Sequence, residues 1–123
     1  MKGMKKVLLV EDEKNIILGV KTCLELANYK AVVVQDGEKA IEAAVKEQPD
    51  LILLDLMLPK IDGFEVCRQL KSREDTRNIP IVVLTAKTGE EDRDKARMAG
   101  ADSYMTKPFR PEELWQEIKR FIV

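Results

Sequence analysis

The stretch Leu51-Ile52-Leu53-Leu54-Asp55, running on into Leu56-Met57-Leu58-Pro59, decides how the rest of the chain reads. Consecutive apolar residues with no polar alternation suit a strand covered on both faces, as in a parallel sheet. Pro59 cannot donate to a ladder, so the strand ends before it. Asp55 therefore stands where the strand emerges, and in open α/β sheets ligands collect at that C-terminal edge. The same local pattern fits a loop aspartate that caps the next helix. The other strands must choose between the two.

Four further runs follow the same plan. Val7-Leu8-Leu9-Val10 ends in Glu11-Asp12-Glu13, and Ala31-Val32-Val33-Val34 closes at Asp36-Gly37. Pro80-Ile81-Val82-Val83-Leu84 ends at Thr85-Ala86, and Ser103-Tyr104-Met105 leads into Thr106-Lys107-Pro108. Helical spacing fills the intervals. Ile16, Ile17, Val20, Cys23, Leu24 and Ala27 predict a helix from Lys14 to Asn28. Ala40, Ile41, Ala44 and Val45 predict a second, stopped near Pro49. Asp62-Gly63 opens a third, with Phe64, Val66, Cys67 and Leu70 as its apolar positions and a polar loop, Arg73 to Asn78, behind it. A highly charged helix from Glu90 to Ala99 has only Ala96 and Ala99 as its stripe, with Met98 nearby, and stops at Gly100. Pro111 suits the first turn of a last helix packed through Leu114, Trp115, Ile118, Phe121 and Ile122. Strand and helix alternate five times over short connections. That pattern predicts an α/β, flavodoxin-like doubly wound fold: a five-stranded parallel sheet in the order 2-1-3-4-5, with five helices.

Composition narrows the function. A chain of 123 residues, 45% hydrophobic and 35% charged, fits one soluble domain with a real core. A net charge of −1 offers no electrostatic case for nucleic acid or an anionic membrane. Met1-Lys2-Gly3-Met4-Lys5-Lys6 leads into an apolar run too short for a signal peptide, and no run approaches membrane-spanning length, so a cytoplasmic location is expected. Cys23 and Cys67 both fall on helices and read as packing residues in a reducing compartment. The chain contains no histidine, which removes Ser-His-Asp and Cys-His nucleophile systems and histidine metal sites.

In the order 2-1-3-4-5 the first and third strands are neighbours at the switch point, so Glu11, Asp12, Asp55, Thr85 and Lys107 converge. Clustered carboxylates repel, and a hard divalent cation resolves the conflict. Mg²⁺ takes oxygen ligands, with Asp12 and Asp55 direct and Glu11 through water; Mn²⁺ would substitute. A carboxylate beside such a cation can attack a phosphoryl group. The transferred oxygens then find the cation, the Thr85 hydroxyl and the Lys107 ammonium. Each residue also has a plain reading: Asp12 as a helix cap, Thr85 as a strand-end β-branched residue, Lys107 as a solvated loop lysine.

The sequence resembles the receiver domain of two-component response regulators, in the single-domain style of chemotaxis and sporulation-phosphorelay members. The matching motifs are Val7-Leu8-Leu9-Val10-Glu11-Asp12, Asp55-Leu56-Met57-Leu58-Pro59, Asp62-Gly63, Leu84-Thr85-Ala86, and Gly100-Ala101-Asp102-Ser103-Tyr104 leading into Lys107-Pro108-Phe109. It covers essentially the whole chain, 1–123, as one domain. The resemblance implies Asp55 as phosphoacceptor and Glu11 and Asp12 as the acidic pair for Mg²⁺, with the Met57 backbone carbonyl as a further ligand. It implies Thr85 and Lys107 as phosphoryl-sensing residues, Tyr104 as an aromatic switch, and a cis Lys107-Pro108 peptide. The donor it implies is a phosphohistidine on a sensor histidine kinase or phosphotransfer protein, and the readout surface is the fourth helix, fifth strand and fifth helix. Such a chain catalyses only its own phosphorylation and dephosphorylation.

Two departures stand out. Glu11 occupies a position where Asp is usual. Many DNA-binding members dimerise through a charge set with an Arg on the last helix, and here Glu117 falls at that place. Met57 and Lys87, each two residues past a site residue, flank the path of hydrolytic water and suggest a shielded, slowly hydrolysed phosphoryl group. Rival readings fare worse. An Asp-nucleophile phosphatase places a second Asp two residues after the nucleophile, where Met57 stands. A flavodoxin needs a Ser/Thr/Gly phosphate loop where Glu11-Asp12-Glu13 would repel phosphate. A degenerate receiver acting as a plain binding module would not need the five site residues. Output stays open among a stand-alone regulator docking on a protein partner, a phosphorelay intermediate and an excised piece of a larger regulator.

Overall fold

A computed structural model describes residues 3–86 and 89–122. Ten elements alternate along the chain: β1 (Lys6–Val10), α1 (Lys14–Leu26), β2 (Lys30–Val34), α2 (Gly37–Glu47), β3 (Leu51–Asp55), α3 (Gly63–Ser72), β4 (Ile81–Thr85), α4 (Glu90–Met98), β5 (Ser103–Thr106) and α5 (Pro111–Phe121). The five strands form one parallel sheet in the order β2-β1-β3-β4-β5. β3 lies at its centre, and all five of its residues are buried, as its uninterrupted apolar run requires.

Alternation along the strands sorts the core into two layers. Leu8, Val10, Ile52, Leu54, Ile81 and Val83 face α2, α3 and α4, where Ala40, Ala44, Val66, Cys67, Leu70 and Ala96 cover them. Val7, Leu9, Leu51, Leu53, Val82, Leu84 and Met105 face α1 and α5, against Val20, Leu24, Leu114 and Ile118. Each layer excludes water from one side of the sheet, and burial of this kind contributes roughly 25 cal/mol per Å² of apolar surface.

Element ends differ from expectation by a residue or two. α1 stops at Leu26 rather than Asn28, because Asn28 adopts a left-handed φ of 66°, which terminates a helix. The cap of α1 is Glu13, whose carboxylate accepts from the Asn15 and Ile16 backbone N–H groups. The capping reading of Asp12 therefore gives way. α2 ends at Glu47 with Gln48 in the left-handed region, just ahead of Pro49. Within the 73–78 loop, Thr76 is buried and its hydroxyl donates to the Leu70 carbonyl at 2.7 Å. Phe64, Trp115 and Phe121 lie only half-buried at the margins of the core. Trp115 keeps its indole N–H satisfied on the Cys23 carbonyl at 2.9 Å.

Both cysteines are free thiols. Burial pushes the Cys67 thiol up to about 11, so it stays protonated and unreactive at neutral pH. That agrees with its reading as a packing residue.

α4 is the least anchored helix. Its N-cap residue Gly89 makes no side-chain cap, and Ala96 is its sole buried residue, with Ala99 buried just beyond. Met98 is 86% exposed. Two cations rest on aromatic rings beside it: Lys95 over Phe64 of α3 at 5.8 Å, and Arg93 over Tyr104 of β5 at 5.1 Å. Such contacts are worth about 0.5–1 kcal/mol at exposed sites.

Candidate active site

The ladder carries the site residues together. Past the last paired strand residues, Leu56 donates its N–H to the Leu84 carbonyl at 3.3 Å and Lys107 to the Thr85 carbonyl at 2.7 Å. Glu11 donates its N–H to the Val34 carbonyl at 3.1 Å. These bonds tie the ends of β3 and β5 to β4 and the end of β1 to β2, while β1 pairs with β3 along the ladder, so Glu11, Asp55, Thr85 and Lys107 stand at the ends of neighbouring strands.

Carboxylate oxygens of Glu11, Asp12 and Asp55 all lie within 4.8 Å of one another. Glu11 is 0% exposed and Asp55 4%, while Asp12 faces solvent. The Lys107 ammonium reaches Glu11 Oε1 at 2.8 Å and Asp55 Oδ2 at 3.3 Å. Asp55 Oδ1 accepts the Met57 backbone N–H at 3.0 Å, and Glu11 Oε2 accepts that of Glu13 at 3.2 Å. Among the described residues, the Lys107 ammonium thus pairs with two of the three clustered carboxylates, Glu11 and Asp55. The imbalance shows in Glu11: burial raises its carboxyl above the ordinary value, the Lys107 contact opposes this, and Asp55 alongside adds to the rise. A set of hard oxygen donors carrying more negative charge than its neighbours neutralise suits a hard divalent cation.

Thr85 and Tyr104 form a separate pair. By alternation Thr85 follows Ile81 and Val83, and β4 pairs with β5 so that Val83 sits opposite Tyr104. Both residues therefore belong to the α3/α4 side of the sheet, whereas Glu11, Asp55 and Lys107 continue the parity of the α1/α5 side. The Tyr104 phenol hydrogen-bonds the Thr85 side chain; burial, and then nearby Asp92, raise the phenol above its ordinary value. The peptide joining Lys107 to Pro108 is cis.

Four of the five residues read from the sequence as site members, Glu11, Asp12, Asp55 and Lys107, come together; Thr85 ends the adjoining strand β4 and its side chain engages Tyr104. Met57 lies on the adjoining loop with its side chain 63% exposed. Lys87 falls outside the described residues. Glu117, the departure on the last helix, accepts from the Ser103 hydroxyl and from Arg120 at 2.9 Å, so its charge is engaged within the chain. Sequence reasoning missed Glu13 as the α1 cap, and it missed that the β2–α2 turn touches the loop after Asp55. A left-handed Lys60 has no signature in the sequence.

A doubly wound sheet with an acidic cluster and a lysine at its switch point defines a phosphoryl-handling signalling module of the receiver class. The family model described as the response regulator receiver domain matches residues 7–119. The chain belongs to that family, whose members signal through phosphorylation on transfer from histidine kinases. Among curated relatives, it is 46% identical over 96% of its length to the alkaline phosphatase synthesis transcriptional regulatory protein PhoP of Bacillus subtilis. It is 43% identical over 94% of its length to the phosphate regulon transcriptional regulatory protein PhoB of Pseudomonas aeruginosa. The chain spans about half the length of these relatives, 48% and 50% respectively. Among solved structures, the receiver domain of sensor histidine kinase PA1611 from Pseudomonas aeruginosa PAO1, with magnesium coordinated in its active site cleft, matches with a TM-score of 0.91 at 33% identity, covering 98% of each chain. The Vibrio cholerae chemotaxis protein CheY4 matches with a TM-score of 0.92 at 32% identity, covering 98% of this chain and 100% of that one. No helix among the described residues is long and apolar enough to cross a membrane.

Proposed function

We propose that this chain acts as a receiver that accepts a phosphoryl group on Asp55 and changes its α4–β5–α5 surface in response. The observation that carries this is the three-carboxylate cluster at the sheet's switch point, two of whose members, Glu11 and Asp55, pair with Lys107. Glu11, Asp12 and Asp55 would hold Mg²⁺, or Mn²⁺ in its place, with the Met57 carbonyl. When bound, that cation supplies charge neutralisation for the entering phosphoryl oxygens.

The chain's own residues do the rest. An Asp55 oxygen attacks phosphorus. The bond from phosphorus to the donor breaks, and its electron pair leaves with the imidazole of a histidine kinase or phosphotransfer protein. Lys107, already 3.3 Å from Asp55 Oδ2, holds one transferred oxygen as a charge-assisted partner. The Thr85 hydroxyl takes another, and because Thr85 is bonded to Tyr104, the ring follows it. Tyr104 also carries Arg93 of α4, so the change reaches a helix held by few contacts. Moving such an equilibrium from roughly 1:99 to 99:1 takes about 5.5 kcal/mol of differential stabilisation. Several charged hydrogen bonds at about 1.5–3 kcal/mol each can supply it.

The test is intact mass after incubation with acetyl phosphate and Mg²⁺. Gain of one phosphoryl group, abolished by a chelator, is the expected result; folded, metal-binding protein that gains nothing overturns the reading. The same assay times the adduct. Met57 stands two residues after Asp55 with its side chain largely exposed, and Met57→Ala is expected to shorten the adduct's lifetime several-fold by admitting water. An unchanged decay rate would remove Met57 as a shield.

A second reading concerns the output. The relatives matched are about twice as long and are named as transcriptional regulators, which favours a receiver that works as part of a DNA-binding regulator. Glu117, tied to Ser103 and Arg120 within the chain, counts against the dimer mode that uses an Arg there.

A further inference from the structure

The loop after β3 is gripped from outside by the β2–α2 turn. Gly37 opens α2 and is buried. A Cβ built there would lie 2.7 Å from the Ile61 carbonyl oxygen, 2.9 Å from Ile61 Cβ and 2.8 Å from Val66 Cγ2. The nearest of these atoms is backbone, so nothing at the end of a flexible side chain can swing away to make room. Asp36, immediately before, is buried; it caps α2 by accepting the Lys39 N–H at 2.9 Å, and it lies 3.7 Å from the Lys60 ammonium.

What the turn grips is a strained segment. Lys60 has a φ of 71°, a region unfavourable to a residue with a side chain, which persists only where surrounding structure over-determines it. Ile61 N–H returns to the Pro59 carbonyl at 2.9 Å, and Gly63 N–H to the Leu56 carbonyl at 3.0 Å. At the loop's far end, a Cβ on Gly63 would sit 2.5 Å from Leu56 Cα and 2.7 Å from the Asp55 carbonyl oxygen. The segment bearing Asp55 and Met57 is therefore closed tightly on itself and braced at its apex by Gly37 and Asp36, neither of which belongs to the acidic cluster.

We propose that Gly37 is a positioning residue for the metal site: its missing side chain lets the β2–α2 turn brace the loop at Lys60 and Ile61, which holds Asp55 and the Met57 backbone in place for the cation. This rests on reading Glu11, Asp12 and Asp55 as that site. Gly37 touches no ligand and acts through the loop.

The experiment is a calorimetric Mg²⁺ titration of wild type, Gly37→Ala, Ile61→Ala and Ala40→Gly, with urea unfolding of each. Gly37→Ala forces the Ile61 carbonyl outward and is expected to weaken Mg²⁺ binding about tenfold, the low end of what losing a supporting contact costs a metal site. Ile61→Ala trims the braced side of a half-buried loop residue, keeps the fold, and is expected to weaken binding in the same direction by a smaller factor. Ala40→Gly lies one turn along the same helix; it is expected to lower the urea midpoint with Mg²⁺ affinity unchanged. Wild-type affinity in both Gly37→Ala and Ile61→Ala overturns the proposal, as does an equal loss in Ala40→Gly, which would mark general destabilisation. If Gly37→Ala does not fold, the contrast between Ile61→Ala and Ala40→Gly decides. Wild type that binds no Mg²⁺ overturns the site reading and this proposal together, whereas wild type that binds it beside unaffected variants overturns this proposal alone.

Discussion

Asp55→Asn protein is expected to remain folded and to show no mass gain with acetyl phosphate and Mg²⁺. The substitution preserves shape. An asparagine carbonyl oxygen can still accept the Met57 N–H that now bonds Asp55 Oδ1 at 3.0 Å. Chemistry is lost because the amide has no anionic oxygen with which to attack phosphorus. The second position changes sign as well. Where Asp55 Oδ2 faces the Lys107 ammonium at 3.3 Å, an amide NH₂ would meet a like donor, so Lys107 is left to Glu11 alone. The measurement is intact mass alongside circular dichroism. If Asp55→Asn still gains one phosphoryl group, peptide mapping would locate it, and a label on Asp12 or Glu11 would move the acceptor away from β3.

Glu11→Gln should separate stability from metal binding. The Glu11 carboxyl is raised by burial, and by Asp55 beside it, despite the Lys107 contact. Its folded pKa therefore lies above its unfolded one, so the native state binds the extra proton between the two. Metal-free stability falls as pH rises from the ordinary carboxylate range through the folded pKa, and the full penalty is present above it. Glutamine mimics the protonated form. At pH 8 without metal, Glu11→Gln is expected to be more stable than wild type by on the order of 1 kcal/mol, about 4 °C in Tm for a domain of this size. Near pH 4 the two should converge. Mg²⁺ at a hundredfold excess over its Kd adds about 2.7 kcal/mol to a protein that binds it only when folded. Wild type should gain this and Glu11→Gln little of it, so the order of the two melting curves inverts. Thermal melts at both pH values, with and without Mg²⁺, check it. A Glu11→Gln protein less stable at pH 8 without metal would show that the Lys107 pairing outweighs the cost of burying Glu11.

The two variants probe different defects of one arrangement. Clustered carboxylates, two of them buried against Lys107, make a site poor for folding and good for binding a cation, the usual exchange of stability for function at a preorganised centre.

The amino-acid sequence by itself determined the fold class, strand order and the set of residues at the strand ends. Apolar runs such as 51–54 report burial on both faces directly, and a parallel sheet delivers every strand end to one edge. Glu11, Asp12, Asp55, Thr85 and Lys107 were legible for that reason: their positions follow from counting residues to the end of each run. Tertiary structure decided what those residues touch. Whether Lys107 meets Glu11 or solvent depends on how β5 leaves the sheet across β4, β3 and β1. That Thr85 bonds Tyr104 follows from the β4–β5 register, which no single strand encodes. The brace of Gly37 on Ile61 and the left-handed Lys60 are contacts between segments more than twenty residues apart, or backbone states imposed by such contacts. Local pattern reports how one segment meets water; it does not report which other segment fills the space beside it.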